Sequence, residues 1–97
     1  MAAYVVNEIT VTDPTVFQTY VAQVPPTLAP FGGRYLVRSG ASEAIEGEAP
    51  GRLVILEFPD RETAKAWRAS PAYQAILPIR DASSTSRVFV VDGYEPG

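Results

Sequence analysis

Residues 4–11, YVVNEITV, alternate loosely between apolar and polar positions and are rich in β-branched side chains, which predicts a first strand. Thr12-Asp13-Pro14 ends it. Asp13 offers a side-chain acceptor to the free N–H groups of a helix start, and Pro14 suits the first helical position because its missing N–H is not needed there. The helix that follows carries an apolar stripe at Phe17, Val21, Val24, Leu28 and Phe31, with Tyr20 beside it. Pro25-Pro26 falls inside that stripe. Each proline costs about 3 kcal/mol in a regular helix, so the expectation is a kink, or two helical pieces sharing one buried face. Gly32-Gly33 then supplies a positive-φ stop; it reads as a turn and not a phosphate cradle, since no Gly-rich run leads to Lys-Ser/Thr.

A second strand is predicted over 34–38, followed by a polar connection over 39–51 that holds a short strand near Ala44-Ile45. The third strand is RLVILEF, 52–58. Asp60 caps the next helix, which places Trp67 on its buried side, and Ser70-Pro71 repeats the cap-and-proline device. The restarted segment puts Tyr73, Ile76, Leu77 and Arg80 on one face, with Pro78 limiting its length. After a polar loop over 81–86 the last strand is RVFVV, 87–91. The order βαββαβ predicts an α+β, ferredoxin-like single domain over 1–97, with a four-stranded antiparallel sheet and both helices on one face.

Side chains alternate across a strand, which divides the sheet residues into two sets. Val5, Ile9, Val11, Tyr35, Val37, Val54, Leu56, Phe58, Phe89 and Val91, with Asn7 the one polar exception, are assigned to the helices. The other set holds Val6, Leu36, Leu53, Ile55, Val88 and Val90 together with Glu8, Glu57, Arg34 and Arg38. So much apolar surface on one open face predicts a face-to-face homodimer. The four charges are then read either as ion pairs that fix the dimer or as the polar lining of a small-molecule cavity. In the second reading Glu57, in the most apolar strand, is the catalytic candidate, a carboxyl whose pKa desolvation would raise toward general acid–base use. Arg38 is the candidate to bind a carboxylate or enolate. Trp67 and Tyr73 are read as core or as pocket walls, and Arg80 as either a surface partner of Asp81 or an anion anchor.

Composition narrows the chemistry. The 97 residues include no histidine and no cysteine, which excludes imidazole- and thiolate-based nucleophile systems, metal sites and redox centres. Ser70 therefore reads as a helix cap. A metal would have only oxygen ligands such as Glu8, Glu57 or Asp92 at no recognisable spacing, so the expectation is no metal and no cofactor. A net charge of −3 gives no footprint for nucleic acid. Strand three also lacks the stacking aromatics that an RNA-binding sheet needs. The start MAAYVVNE has neither a basic segment nor a long apolar run, so no membrane partner and a cytoplasmic location are expected.

The residues TDP (12–14), Tyr20, GGRYLVRSG (32–40), IEG (45–47), LEF (56–58), Ala64 with Trp67, SPAYQ (70–74) and Arg80 occur in an order and spacing that resemble the bacterial family described as domain of unknown function 1330. That resemblance implies a ferredoxin-like fold in the dimeric α/β-barrel group. The family has no settled activity, so it assigns no catalytic residue. Related dimeric α/β-barrel families include cofactor-independent oxygenases and isomerases, and by fold analogy the expected function is binding of a small organic acid or aromatic compound with cofactor-free acid–base chemistry. The alternative is a non-catalytic dimeric module.

Overall fold

The computed structural model describes residues 1–40 and 42–96. Strand β1 (Ala3–Val11) leads into α1 (Pro14–Leu28) and a 3-10 turn (Ala29–Phe31); β2 (Arg34–Gly40) and β3 (Arg52–Phe58) follow. Then come α2 (Arg61–Ala69), α3 (Pro71–Ser83) and β4 (Ser84–Asp92). The capping signals act as expected. Asp13 accepts from the Val16 N–H at 3.1 Å, Asp60 from the Thr63 N–H at 2.7 Å, and Ser70 from the Tyr73 N–H at 3.3 Å. Hydrogen bonding from Thr63, through its side chain and its backbone, holds the Asp60 carboxyl below the usual aspartate range. Gly32 has φ 64°, and a Cβ on Gly33 would come within 2.6 Å of the Phe58 ring, so the pair is both turn and close contact.

The helices run further than their prolines suggest. α1 continues through Pro25 and Pro26 as one element, and α3 through Pro78. All three prolines are exposed while Val24, Thr27, Leu28 and Ile76 beside them are buried. Packing of those neighbours outweighs the lost backbone bonds. The loop expected over 81–86 is instead the end of α3 and the start of β4. Hydroxyls take over the last helical carbonyls, Ser83 on Ile79 O at 2.6 Å and Ser84 on Arg80 O at 2.6 Å. The Ser83 carbonyl accepts from the Thr12 and Asp13 N–H groups at 2.8 and 3.1 Å. β4 can therefore begin at once. The short strand expected near Ala44-Ile45 is absent among the described residues.

The four strands form one antiparallel sheet in the order β2-β3-β1-β4, with the helices on one face. Along its shortest axis the chain spans only 16 Å, the thickness of a sheet and one helix layer. The core lies between those layers and is aromatic. Trp67 lies 4.3 Å from Tyr73 and 5.3 Å from Phe58 between ring centres, and Phe17 packs on Tyr20 at 5.5 Å. Among the described residues no helix is long and apolar enough to cross a membrane.

Two assignments of side chains to faces are corrected. Register pairs Val5 with Val90, Asn7 with Val88 and Val6 with Phe89, and residues directly opposite share a face. Val88 and Val90 therefore face the helices, while Phe89 and Val91 lie on the open face, 46% and 45% exposed. In β2, Tyr35 opposes Leu56 and Val37 opposes Ile55, leaving one extra residue between them. That bulge reverses the alternation. Val37 moves to the open face and Arg38 to the helix face.

Candidate functional site

The bulge creates the mouth of a cleft between α1 and the sheet. Arg38 sits opposite Val54, which has Asn7 on its other side in β1; Arg52 lies two residues earlier on β3, in phase with Val54, Leu56 and Phe58. Below these the cleft is walled by Phe17, Tyr20, Tyr35 and Trp67. Its cavity is only about 30 Å³ and opens to solvent at the mouth. The narrowing comes with two guanidiniums resting on rings, Arg38 over Tyr35 at 4.8 Å and Arg52 over Phe17 at 5.0 Å.

The polar groups of the cleft are hydrogen-bonding groups and cations. Asn7, buried on the helix face, donates to the Val54 carbonyl at 3.2 Å, which resolves the polar exception on an apolar strand. Burial pushes the Tyr20 phenol far above its usual range, and the neighbouring Tyr73 phenol adds to the effect. Burial also raises Tyr35, against the opposing influence of Arg38. Both phenols thus stay neutral near pH 7. No carboxylate lines the cleft among the described residues.

Behind the Trp67 wall lies a buried polar knot. The Tyr20 and Tyr73 hydroxyls are 2.8 Å apart, and Tyr73 also accepts from Arg68 at 3.3 Å and from Arg80 at 3.4 Å. Arg80 is buried, its Nη2 lies 3.5 Å from the Asp81 carboxylate, and its Nε has no partner. Arg80 is thus neither at the surface nor in the cleft lining. Thr27, also buried, accepts the Trp67 indole N–H at 3.0 Å, tying α2 to α1. On its other side Trp67 borders a second, wider hollow of about 430 Å³ between α2 and β4.

The residues singled out in the sequence therefore divide. Arg38 and Trp67 meet in the cleft, whereas Tyr73 and Arg80 lie behind it. Glu57 is on the opposite face of the sheet. There it bonds the Arg34 side chain at 2.6 Å, and Glu8 bonds Arg87 at 2.8 Å. The expectation that Glu57 and Arg38 share a face is corrected by the bulge. Arg52 was missed, although a cation in phase with Val54, Leu56 and Phe58 is a readable signal. Arg87 was missed as the partner of Glu8, although it is in phase with Phe89 and Val91.

A family model described as a domain of unknown function, DUF1330, matches residues 2–94. The chain belongs to this family. The DUF1330 chain is similar to the crystal structure of RPA0582, a protein of unknown function from Rhodopseudomonas palustris. The TM-score is 0.80 at 16% identity, covering 98% of this chain and 84% of that one. SnoaB, a cofactor-independent oxygenase from Streptomyces nogalater, aligns with a TM-score of 0.68 at 17% identity over 98% of this chain and 95% of its own. A dimeric ferredoxin-like protein of unknown function from Thermobifida fusca aligns at 0.61 with 13% identity over 94% and 92%. No curated protein matches the chain. At these identities the structures establish a shared ferredoxin-like fold for the DUF1330 chain.

Proposed function

We propose that this DUF1330 protein binds a small aromatic organic compound in the cleft between α1 and the sheet, and that it does so as a homodimer joined through the open sheet face. The observation that carries the first half is the cleft's lining: four aromatic rings with a small number of polar groups at one end, the composition typical of small-molecule sites. The cavity itself, about 30 Å³, is smaller than such sites usually are, so a ligand would have to displace the Arg38 and Arg52 side chains that rest on Tyr35 and Phe17. SnoaB, on the same fold, is an oxygenase that needs no cofactor, and an aromatic-lined cleft with no histidine, cysteine or carboxylate among its described lining residues suits chemistry of that kind. The reading here is binding, because no group in the lining is an evident proton acceptor near neutral pH. Glu57 is separated from the cleft by the sheet itself.

For the second half, Val6, Leu53, Ile55, Phe89 and Val91 share a sheet face that no helix covers, and a protein of the same fold is dimeric. A second copy would remove that surface from water. The same face supports the competing reading, a purely structural dimer module, because its charges are already paired across neighbouring strands.

Trp67 is the only tryptophan in the chain and lines the cleft, so its fluorescence reports occupancy directly. Titration with a panel of one- and two-ring aromatics is expected to change its emission saturably. A binder at 100 times its dissociation constant adds about 2.7 kcal/mol to stability. A panel that leaves both the emission and the melting temperature unchanged overturns the binding reading in favour of the structural module.

A further inference from the structure

We infer that the cleft is selective for an aromatic carboxylate, with Arg38 and Arg52 as the two residues that determine this specificity. The inference rests on the binding reading above and adds the charge of the ligand to it. Its basis is the partnering of the arginines. Arg34, Arg61, Arg80 and Arg87 each lie within reach of a carboxylate, on Glu57, Asp92, Asp81 and Glu8 respectively. Arg68 is bonded to the Tyr73 hydroxyl. Arg38 and Arg52 have neither kind of partner among the described residues and rest on aromatic rings instead.

In a chain with 11 acidic and 8 basic side chains, two cations without a carboxylate partner at the mouth of one cleft are out of keeping with the whole. Position makes them a pair. Arg38 is opposite Val54 in the register and Arg52 is two residues along the same strand, on the same face. Such diagonal neighbours stand about 7–8 Å apart, close enough for two long side chains to converge on one group. Guanidinium is planar and matches a carboxylate through two parallel N–H···O bonds, and no lysine lines this cleft to favour a more compact anion. A charge-assisted bidentate pair is stronger than an exposed cation–π contact. An entering carboxylate would therefore draw both guanidiniums off Tyr35 and Phe17, opening the constricted cavity for the ring behind it.

Isothermal titration calorimetry on the full chain with 2-naphthoate and its neutral isostere 2-naphthamide tests this. Naphthoate is expected to bind roughly tenfold or more tightly than naphthamide, and to weaken in high salt while naphthamide does not. Arg38→Met and Arg52→Met should each lower naphthoate affinity by about tenfold and shrink its preference over naphthamide by a similar factor. Arg38→Lys and Arg52→Lys, which keep the charge but lose the fork, should fall between, and circular dichroism confirms that each variant is folded. Equal affinity for the two probes, or naphthoate binding indifferent to either methionine variant, overturns the carboxylate assignment while the cleft stands as a binding site. Failure of the wild-type chain to bind either probe overturns the binding reading and this inference with it.

Discussion

The two faces of the sheet solve opposite problems. On the helix face the rings of Phe17, Tyr20, Tyr73, Trp67 and Phe58 pack in a chain, while Arg38 and Arg52 at its margin have no carboxylate partner among the described residues. On the open face Arg34 with Glu57 and Arg87 with Glu8 form ion pairs between directly opposed residues, while Phe89, Val91 and Leu36 are nearly half exposed. One face is complete in its packing and incomplete in its charge; the other is complete in its charge and incomplete in its packing. An unburied apolar surface calls for a second surface, and an unpaired cation calls for an anion. The contrast therefore assigns different kinds of partner to the two sides of one sheet.

The largest expected effect tests which face holds the chain together. Phe58→Ala empties a site that is 1% exposed and should lower stability by about 3–5 kcal/mol in urea denaturation. Phe89→Ala, made under conditions where the chain is monomeric, should cost only a small fraction of that. Similar losses for the two variants would erase the distinction between a packed and an uncovered face.

Next in size is the effect on assembly. Ile55 lies on the open face of β3, opposite Val6, and Ile55→Glu would put a charge against the apolar surface of the second copy. Sedimentation velocity should show the wild type as a dimer at micromolar concentration and the variant as a monomer with unchanged circular dichroism. A dissociation constant raised by about 100-fold corresponds to about 2.7 kcal/mol. A wild-type chain that sediments as a monomer at that concentration refutes the dimer.

How far this contrast could be read in the sequence follows from what each strand displays. Asp13, Asp60 and Ser70, each followed or nearly followed by proline or a helix former, announced their helices, and the βαββαβ order followed. β1 and β3 were legible because a polar residue breaks each alternation. β4 was not: Val88 and Val90 are as apolar as Phe89 and Val91, so periodicity leaves the facing open and only Arg87 marks the outer set. β2 was illegible for a different reason. A bulge between Tyr35 and Val37 has no glycine or other local marker, and its consequence, Arg38 on the helix face instead of beside Glu57, depends on pairing with a strand some 20 residues away. The prolines misled in the opposite sense, because local propensity was outweighed by burial on the far side of each helix.

A smaller effect is expected at the polar knot that supports the cleft wall. Tyr73→Phe removes the hydroxyl that meets Tyr20, Arg68 and Arg80 while keeping the ring against Trp67. Leaving the buried Arg80 guanidinium, whose Nε is already unpartnered, with one bond fewer should cost about 1–3 kcal/mol. Because the ring is retained, binding in the cleft should change little. If instead Tyr73→Phe abolishes ligand binding while stability holds, the knot is part of the site and the division between wall and support is wrong.

The smallest effect is at Glu57, and its size depends on whether the open face is covered. Arg34 is 69% exposed in the isolated chain, where a pair of this kind contributes at most about 1 kcal/mol after solvent screening. Glu57→Gln should therefore be nearly silent in the denaturation of a dilute monomer. Covered by a second copy, the same pair would lose much of its water, and removing one partner would leave Arg34 with an uncompensated charge. Dimerisation should weaken by more than monomer stability does, and 2-naphthoate affinity should not move at all, since the sheet lies between Glu57 and the cleft. A Glu57→Gln chain that dimerises normally yet loses ligand affinity would reverse the assignment of the two faces.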